Sequence, residues 1–257
     1  MLTINDILPV EVKSEANTSS KSLKKFKELF PDKVKLRVRF SLDNLKLDDD
    51  VLNIPLIFAD RADRLPDSLT SIGSSAFYSC YDLTDMVLPD SVASVGNCAF
   101  INCTSLTTVS VGSGMKNLDV TAFSNCSKLS AIYVSEDNSA YASVDGIVYN
   151  KEKTKLFIVP AGVSGEITIP KTVEEFTYQA VDSCKNLTAI NVEDGHPNYK
   201  SVDGIVYTAD GKTVLCCPRG KVGAVAVQEG AESIDERAFY QCDKLTDVTL
   251  TEFTRNS

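Results

Sequence analysis

Eight cysteines and one histidine are the side chains of this 257-residue chain best suited to metal binding or nucleophilic chemistry. A zinc site needs thiolates or imidazoles converging from short spacings such as Cys-x-x-Cys. Instead, one interval separates Cys80, Cys103 and Cys126, and a longer one, also repeated, leads on to Cys184 and Cys242. That rhythm reads as a ladder of structural thiols, because free cysteine is among the most buried residue types. Stacked equivalents would lie near the sheet spacing of about 4.8 Å, within Cα reach of a disulfide, but parallel Cβ vectors oppose pairing. Cys98 stands where other copies carry Ser75, Thr121, Gln179 and Arg237, and is expected to be exposed. Cys216 and Cys217 replace Ile158 and Val159 and read as packing residues. His196, within Asp-Gly-His-Pro-Asn, reads as a turn. No nucleophile-base pair, phosphate-binding glycine loop or metal cluster can be named, so the expectation is no catalytic residue, no cofactor and no metal.

The elements that carry these thiols repeat. Ala76-Phe77 with Cys80 and Leu83 returns as Ala99-Phe100 with Cys103 and Leu106, then Ala122-Phe123, Ala180-Val181 and Ala238-Phe239, each with its Cys and Leu. The first two steps are equal and short and the last two equal and long, the self-similarity of a solenoid. Each copy ends in an alternating run such as Leu106-Thr-Thr-Val-Ser-Val, a short strand. Pro or Gly with a polar residue then turns the chain. Inward residues three and four apart behind it predict a short helical or 3-10 segment. One coil cannot bury its own apolar face, so stacked coils share one core and a parallel sheet. Two copies are lengthened by matching inserts, Tyr141-Ala-Ser-Val-Asp-Gly-Ile-Val-Tyr and Tyr199-Lys-Ser-Val-Asp-Gly-Ile-Val-Tyr. They predict β-hairpins near 137–165 and 195–223, with Asp145-Gly146 and Asp203-Gly204 as turn or bulge residues.

The pattern Leu-Pro-Asp-Ser-Val-x-Ser-Val-Gly-x-x-Ala-Phe-x-x-Cys-x-x-Leu over 88–106 resembles the BspA-like leucine-rich repeat of bacterial and protozoan surface proteins. The likeness runs over about 65–250. It implies an α/β solenoid with parallel strands, short helical segments and the two hairpin inserts, and a protein-binding role at a cell surface, with a host or matrix protein as partner.

Residues 1–60 lie outside the repeat and 61–257 form the solenoid. Residues 20–30 place Leu23, Phe26, Leu29 and Phe30 on one side, an amphipathic helix ended by Pro31. Residues 33–40 alternate cleanly, with Lys35, Arg37 and Arg39 opposite an apolar face. This α+β region reads as a cap over the open end of the core. Asp60 and Asp63 charge the first edge against further strand addition. At the other end the last coil is left open, or is covered by Phe253 and its neighbours or by a partner.

Net charge is −9. Residues 1–60 hold ten basic and ten acidic side chains, so the repeats carry the whole acidic excess and are a poor match for nucleic acid. No apolar run is long enough to span a membrane, and the first residues lack a basic start and an export-type apolar stretch. A cytoplasmic scaffold is therefore the alternative to a surface adhesin, and reduced thiols suit it. The enzymatic alternative is a polysaccharide-active parallel β-helix, which needs acidic residues on successive strands of one face. Outward strand positions here are Asp85 and Val87, Thr108 and Ser110, Ala131 and Tyr133, Ala189 and Asn191, Asp247 and Thr249, with the two Asp at opposite ends. Thr108, Ser110, Tyr133, Asn191 and Thr249 are the expected partner-facing residues, with Tyr133 as the anchor.

Overall fold

The computed structural model describes residues 47–48, 51–52, 65 and 68–250. The helix expected at 20–30, the strand at 33–40 and the charged edge at Asp60 and Asp63 lie outside these residues. From the first sixty, the short strands Leu47–Asp48 and Val51–Leu52 are described, paired antiparallel.

From Ser71 onward the chain winds as stacked coils. Along one side run Asp85–Leu88, Thr108–Val111 and Ala131–Val134, parallel and in register, each one short repeat step after the last. Further strands are Ser164–Ile169 with Asn186–Val192, and Gly223–Val227 with Leu245–Leu250. A second, narrower ladder carries Ser71–Ile72, Ser94–Val95 and Asn117–Leu118. Met86, Val109, Ile132 and Ile190 point from the first side into the core, and Ile72, Val95 and Leu118 meet them from the second.

The corner joining the two ladders explains why the expected helical segments do not form. Its inward spacing is that of a helix, but alternate N–H groups leave the coil. Ala76 N donates to Gly73 O (3.3 Å), Tyr78 N to Ser75 O (3.1 Å) and Cys80 N to Phe77 O (3.2 Å). Between them, Ser75 N, Phe77 N and Ser79 N donate to Asn97 O, Ala99 O and Ile101 O of the next coil (3.0, 2.7 and 2.9 Å). A helix would spend all six within itself. The alternation is reached through left-handed backbone at Ser75 (φ 57°) and Ser79 (φ 56°), repeated at Cys98 and Asn102. The described residues thus form a β-solenoid instead of the expected α/β one, with Tyr178–Ala180 as a single 3-10 turn.

The two lengthened copies each prove to be two coils. Phe77 N and Phe100 N bond to Ala99 O and Ala122 O, and the same bond runs from Val159 N to Ala180 O (2.8 Å) and from Cys217 N to Ala238 O (2.7 Å). Val159 and Cys217 therefore occupy the phenylalanine slot. Numbered by that slot, coils 1 to 7 carry Phe77, Phe100, Phe123, Val159, Val181, Cys217 and Phe239. Each long step thus divides into a coil with an insert and a coil of ordinary length.

Each insert is a three-stranded meander, one strand more than a hairpin. Tyr141–Val144 and Ile147–Asn150 pair across Asp145-Gly146, and Leu156–Ile158 adds to the second of them. That third strand is also the first limb of coil 4. The second insert repeats the order with Tyr199–Val202, Ile205–Thr208 and Thr213–Cys216.

The hairpin tips close the edge of the sheet before them. Ile132 N donates to Gly146 O and Ile190 N to Gly204 O, both at 2.9 Å. Positive φ and a close approach both require glycine there: a Cβ on Gly146 would lie 2.6 Å from Ala131 Cβ, and one on Gly204 2.5 Å from Ala189 Cβ. The Asp-Gly pairs are turn residues.

Candidate functional site

The thiol ladder lies inside. Cys103, Cys126 and Cys184 are buried, Cys80 and Cys242 half-buried, and all eight cysteines are unpaired. The slot has a polar reason that periodicity does not reveal. Cys103 Sγ donates to Phe77 O (3.1 Å), Cys126 Sγ to Phe100 O (3.0 Å), and Cys184 Sγ to Val159 O (3.4 Å), so each thiol tethers the corner of the coil before it. Cys126 and burial hold the Cys103 thiol up at about 12, and burial, with a smaller push from the Asp182 carboxylate, raises Cys184 to about 12. Such thiols are inert toward nucleophilic chemistry at neutral pH. Cys98 is half-buried, against the expected exposure, with its Sγ 3.7 Å from Thr121 Oγ1. Among the described residues no group of three or more His, Cys, Asp or Glu side chains is placed to hold a metal ion.

His196 closes a turn, its N–H donating to Glu193 O (3.1 Å), and its ring is buried. Its Nδ1 accepts from Asn198 N (3.1 Å) and Tyr199 N (3.2 Å). Asn138 holds the equivalent place one insert earlier. It accepts from Ala140 N and Tyr141 N, and its amide donates to the carbonyls of Gly112, Ser113 and Met115. Asn138 thereby fastens its insert to the stack, whereas the bonds of the His196 side chain stay within its own insert. Nearby, the hydroxyls of Tyr141 and Tyr199 accept from Leu118 N (3.0 Å) and Phe176 N (3.1 Å).

The expected partner-facing residues fall on different sheets. Ser110 pairs with Val87 on one side and Tyr133 on the other, and Thr108 lies between Asp85 and Ala131. These three coils form one face. Asn191 and Thr249 lie on two separate two-stranded sheets, beyond the inserts. Thr108 and Asn191 are already engaged with neighbours. Thr108 Oγ1 and Thr107 Oγ1 donate to Asp85 Oδ1 (2.7 and 3.0 Å), holding that carboxyl below its usual range, and Asn191 Nδ2 donates to Glu166 Oε2 (2.9 Å). What remains on the first face is a groove of about 490 Å³ bordered by Val87, Pro89, Ser110 and Tyr133, with Tyr133 55% exposed.

Val248, at an inward position of the last described strand, is 42% exposed, where the equivalent Ile132 and Ile190 are fully buried. Phe253 lies outside the described residues.

The model of the BspA type leucine-rich repeat region matches residues 63–164 and 219–256 in six copies, more than half of the chain. The chain belongs to the BspA-type leucine-rich repeat family. The stretch between the two matched parts of this family member, 165–218, spans most of the second insert and the coil where Val181 replaces phenylalanine. Solved structures similar to the chain include the pneumococcal vaccine antigen PcpA, at 19% identity and TM-score 0.44 over 72% of this chain. Two others are a leucine-rich repeat protein from Eubacterium ventriosum (20%, TM-score 0.38, 75% of this chain and 74% of that one) and a leucine-rich cell surface protein from Faecalibacterium prausnitzii (20%, TM-score 0.35, 70% and 61%). The chain spans about half, 54%, of the PcpA structure. No curated protein matches the chain.

Among the described residues no helix is long and apolar enough to cross a membrane.

Proposed function

We propose that this chain is a non-enzymatic binding module that holds a protein partner on the outward face of coils 1 to 3, at a cell surface, with a host or matrix protein as the partner. The observation that carries the reading is the groove beside Tyr133. An exposed aromatic ring stands over an open depression, flanked by Val87 and by a serine hydroxyl not tied to a neighbouring carboxylate. Interface hot spots are enriched in tyrosine because the ring offers large contact area for little conformational entropy. The acidic repeat surface favours a partner with basic residues around the contact. The location follows the family resemblance read from the repeat motif.

Tyr133→Ala is expected to weaken binding at least about 30-fold, a hot-spot loss of roughly 2 kcal/mol. Exposure keeps its effect on folding within about 0.5 kcal/mol. The measurement is biolayer interferometry of the wild type and variant against an arrayed panel of extracellular-matrix and plasma proteins. Unchanged affinity for every captured protein would remove Tyr133 from the site. Thr249→Ala, on a different sheet, serves as the control and retains full affinity.

One observation favours a second reading, a cytoplasmic scaffold: the eight unpaired thiols suit a reducing compartment. Fractionation of source cells separates the two, with recovery in the cytosol alone deciding for the scaffold.

A further inference from the structure

Coils 4 and 6 turn more sharply than the others. In coil 4, Pro160-Ala161-Gly162 closes a turn in which Val163 N donates to Pro160 O (3.0 Å) and Gly162 N to Leu129 O (2.8 Å). In coil 6, Pro218-Arg219-Gly220 makes the same turn, with Lys221 N on Pro218 O (3.1 Å) and Gly220 N on Leu187 O (2.8 Å). The shortened corner leaves a notch between the coil before and the coil after. Across the first notch coils 3 and 5 touch directly, Asn125 N donating to Ser183 Oγ at 3.3 Å.

The second notch is filled by the chain itself. Arg219, with a side chain only 9% exposed, donates from Nη1 to Asp182 O and from Nη2 to Gln241 Oε1, and its Nη1 lies 3.9 Å from Asp182 Oδ1. The first notch has Ala161 at that place and stays open, as a cavity of about 130 Å³ backed by Phe123 and Val159 and walled by Ser124, Asp182 and Ser183.

We propose that the first notch is a receptor for the guanidinium group of an arginine in a polypeptide partner. The internal repeat supplies the template: Ser124 stands where Asp182 offers its carbonyl to Arg219, and Ser183 stands where Gln241 offers its side chain. Asp182, whose carboxylate is shared with Arg219 of the second notch, also borders the first, in a chain of net charge −9. Arg237 also reaches the rim, but its guanidinium is held by the Tyr178 hydroxyl (2.7 Å) and lies over the Tyr178 and Tyr240 rings, 5.5 and 5.4 Å from their centroids. A planar fork of donors suits acceptors spread over two coils, and a lysine ammonium, a point charge, does not span them. Only the source of the arginine rests on the protein-binding reading above.

The test is amide chemical-shift mapping of the full chain with N-acetyl-arginine amide, with the lysine and citrulline amides as controls. Shifts are expected at Ser124, Gly162 and Ser183 with the arginine probe, saturating at about tenfold lower concentration than with either control, the ratio for one charge-assisted contact. Ala161→Arg, which supplies the missing side chain in cis, is expected to abolish them, and Ala161→Leu, which fills the cavity without charge, to do the same should the first variant fold poorly. Tyr133→Ala is expected to leave them intact, so failure here and failure of the groove are separate results. Equal response to lysine or citrulline, no shifts at those three amides, or shifts that survive both Ala161 substitutions would overturn the proposal.

Discussion

Phe100→Ala is expected to cost about 3–5 kcal/mol of stability, the loss for a large aromatic removed from a close-packed site. Phe100 is fully buried in coil 2, its ring stacked on Phe77 at 4.7 Å between centroids and on Phe123 at 5.2 Å, with interplanar angles of 5° and 17°. Neither neighbour can close the gap. Each is fixed by its own coil, and the coils are pinned at their strand spacing by the Phe77 N to Ala99 O and Phe100 N to Ala122 O bonds. Offset stacking adds about 0.5–1.5 kcal/mol beyond the buried area. Phe123→Ala is expected to cost less, because Phe123 faces Val159 and the open notch on its far side. Urea denaturation of both variants, with hydrogen exchange to report each coil, measures the order. Equal losses would mean that the corner stack is not the tie between coils. Since a repeat array depends on nearest-neighbour interfaces, the exchange data should show coils 1 and 2 loosening before coils 5 to 7.

That slot also shows what the sequence makes legible and what it hides. The short repeat step is plain because Ala, Phe, Cys and Leu return together in coils 1 to 3. Coils 4 and 6 escape notice because Ile158-Val159-Pro160 and Cys216-Cys217-Pro218 carry neither the phenylalanine nor the Cys-x-x-Leu limb. The matching of Cys216-Cys217 to Ile158-Val159 was the available signal: two aligned apolar pairs, each followed by proline, at the ends of matching inserts. The helical expectation failed for a different reason. Three-residue turns and a 3-10 helix bury the same positions, and only the destination of the N–H groups, supplied by the neighbouring coil, separates them. Alternation told which strand residues face outward. It could not tell that the inserts divide the outward face, because Gly146 and Gly204 reach the strands of coils 3 and 5 through pairing that lies outside the repeat. Hence Tyr133 shares a face with Ser110, and Asn191 and Thr249 do not.

Stability is expected to fall strongly at alkaline pH because of the thiol ladder. Cys103 and Cys184 ionise near 9.0 when unfolded and near 12 in the fold, Cys103 through Cys126 and burial and Cys184 through burial. Their folded values are raised, so the contribution of the neutral thiols is fully present below pH 9. Above it the unfolded chain releases protons that the folded chain retains, and stability falls until the folded thiols themselves ionise near 12. Each thiol should remove about 1.4 kcal/mol per pH unit across that window, so the two together lower the unfolding free energy by roughly 3 kcal/mol per unit. Cys216, raised by burial, adds to the same trend. Surface pairs broken by lysine deprotonation, Lys155 with Glu175 and Lys212 with Glu232, contribute little because they are exposed. The measurement is urea unfolding at half-unit steps from pH 8 to 11. The control is Cys184→Ala, which lowers stability at pH 8 through the lost contact and should then follow a pH slope shallower by about 1.4 kcal/mol per unit. A variant slope equal to the wild type would show that the Cys184 thiol ionises as freely in the fold as in the unfolded chain, and that its burial does not hold the neutral form. A shallower slope would show that the buried Cys184 thiol stays neutral in the fold, the form that can donate its S–H to Val159 O.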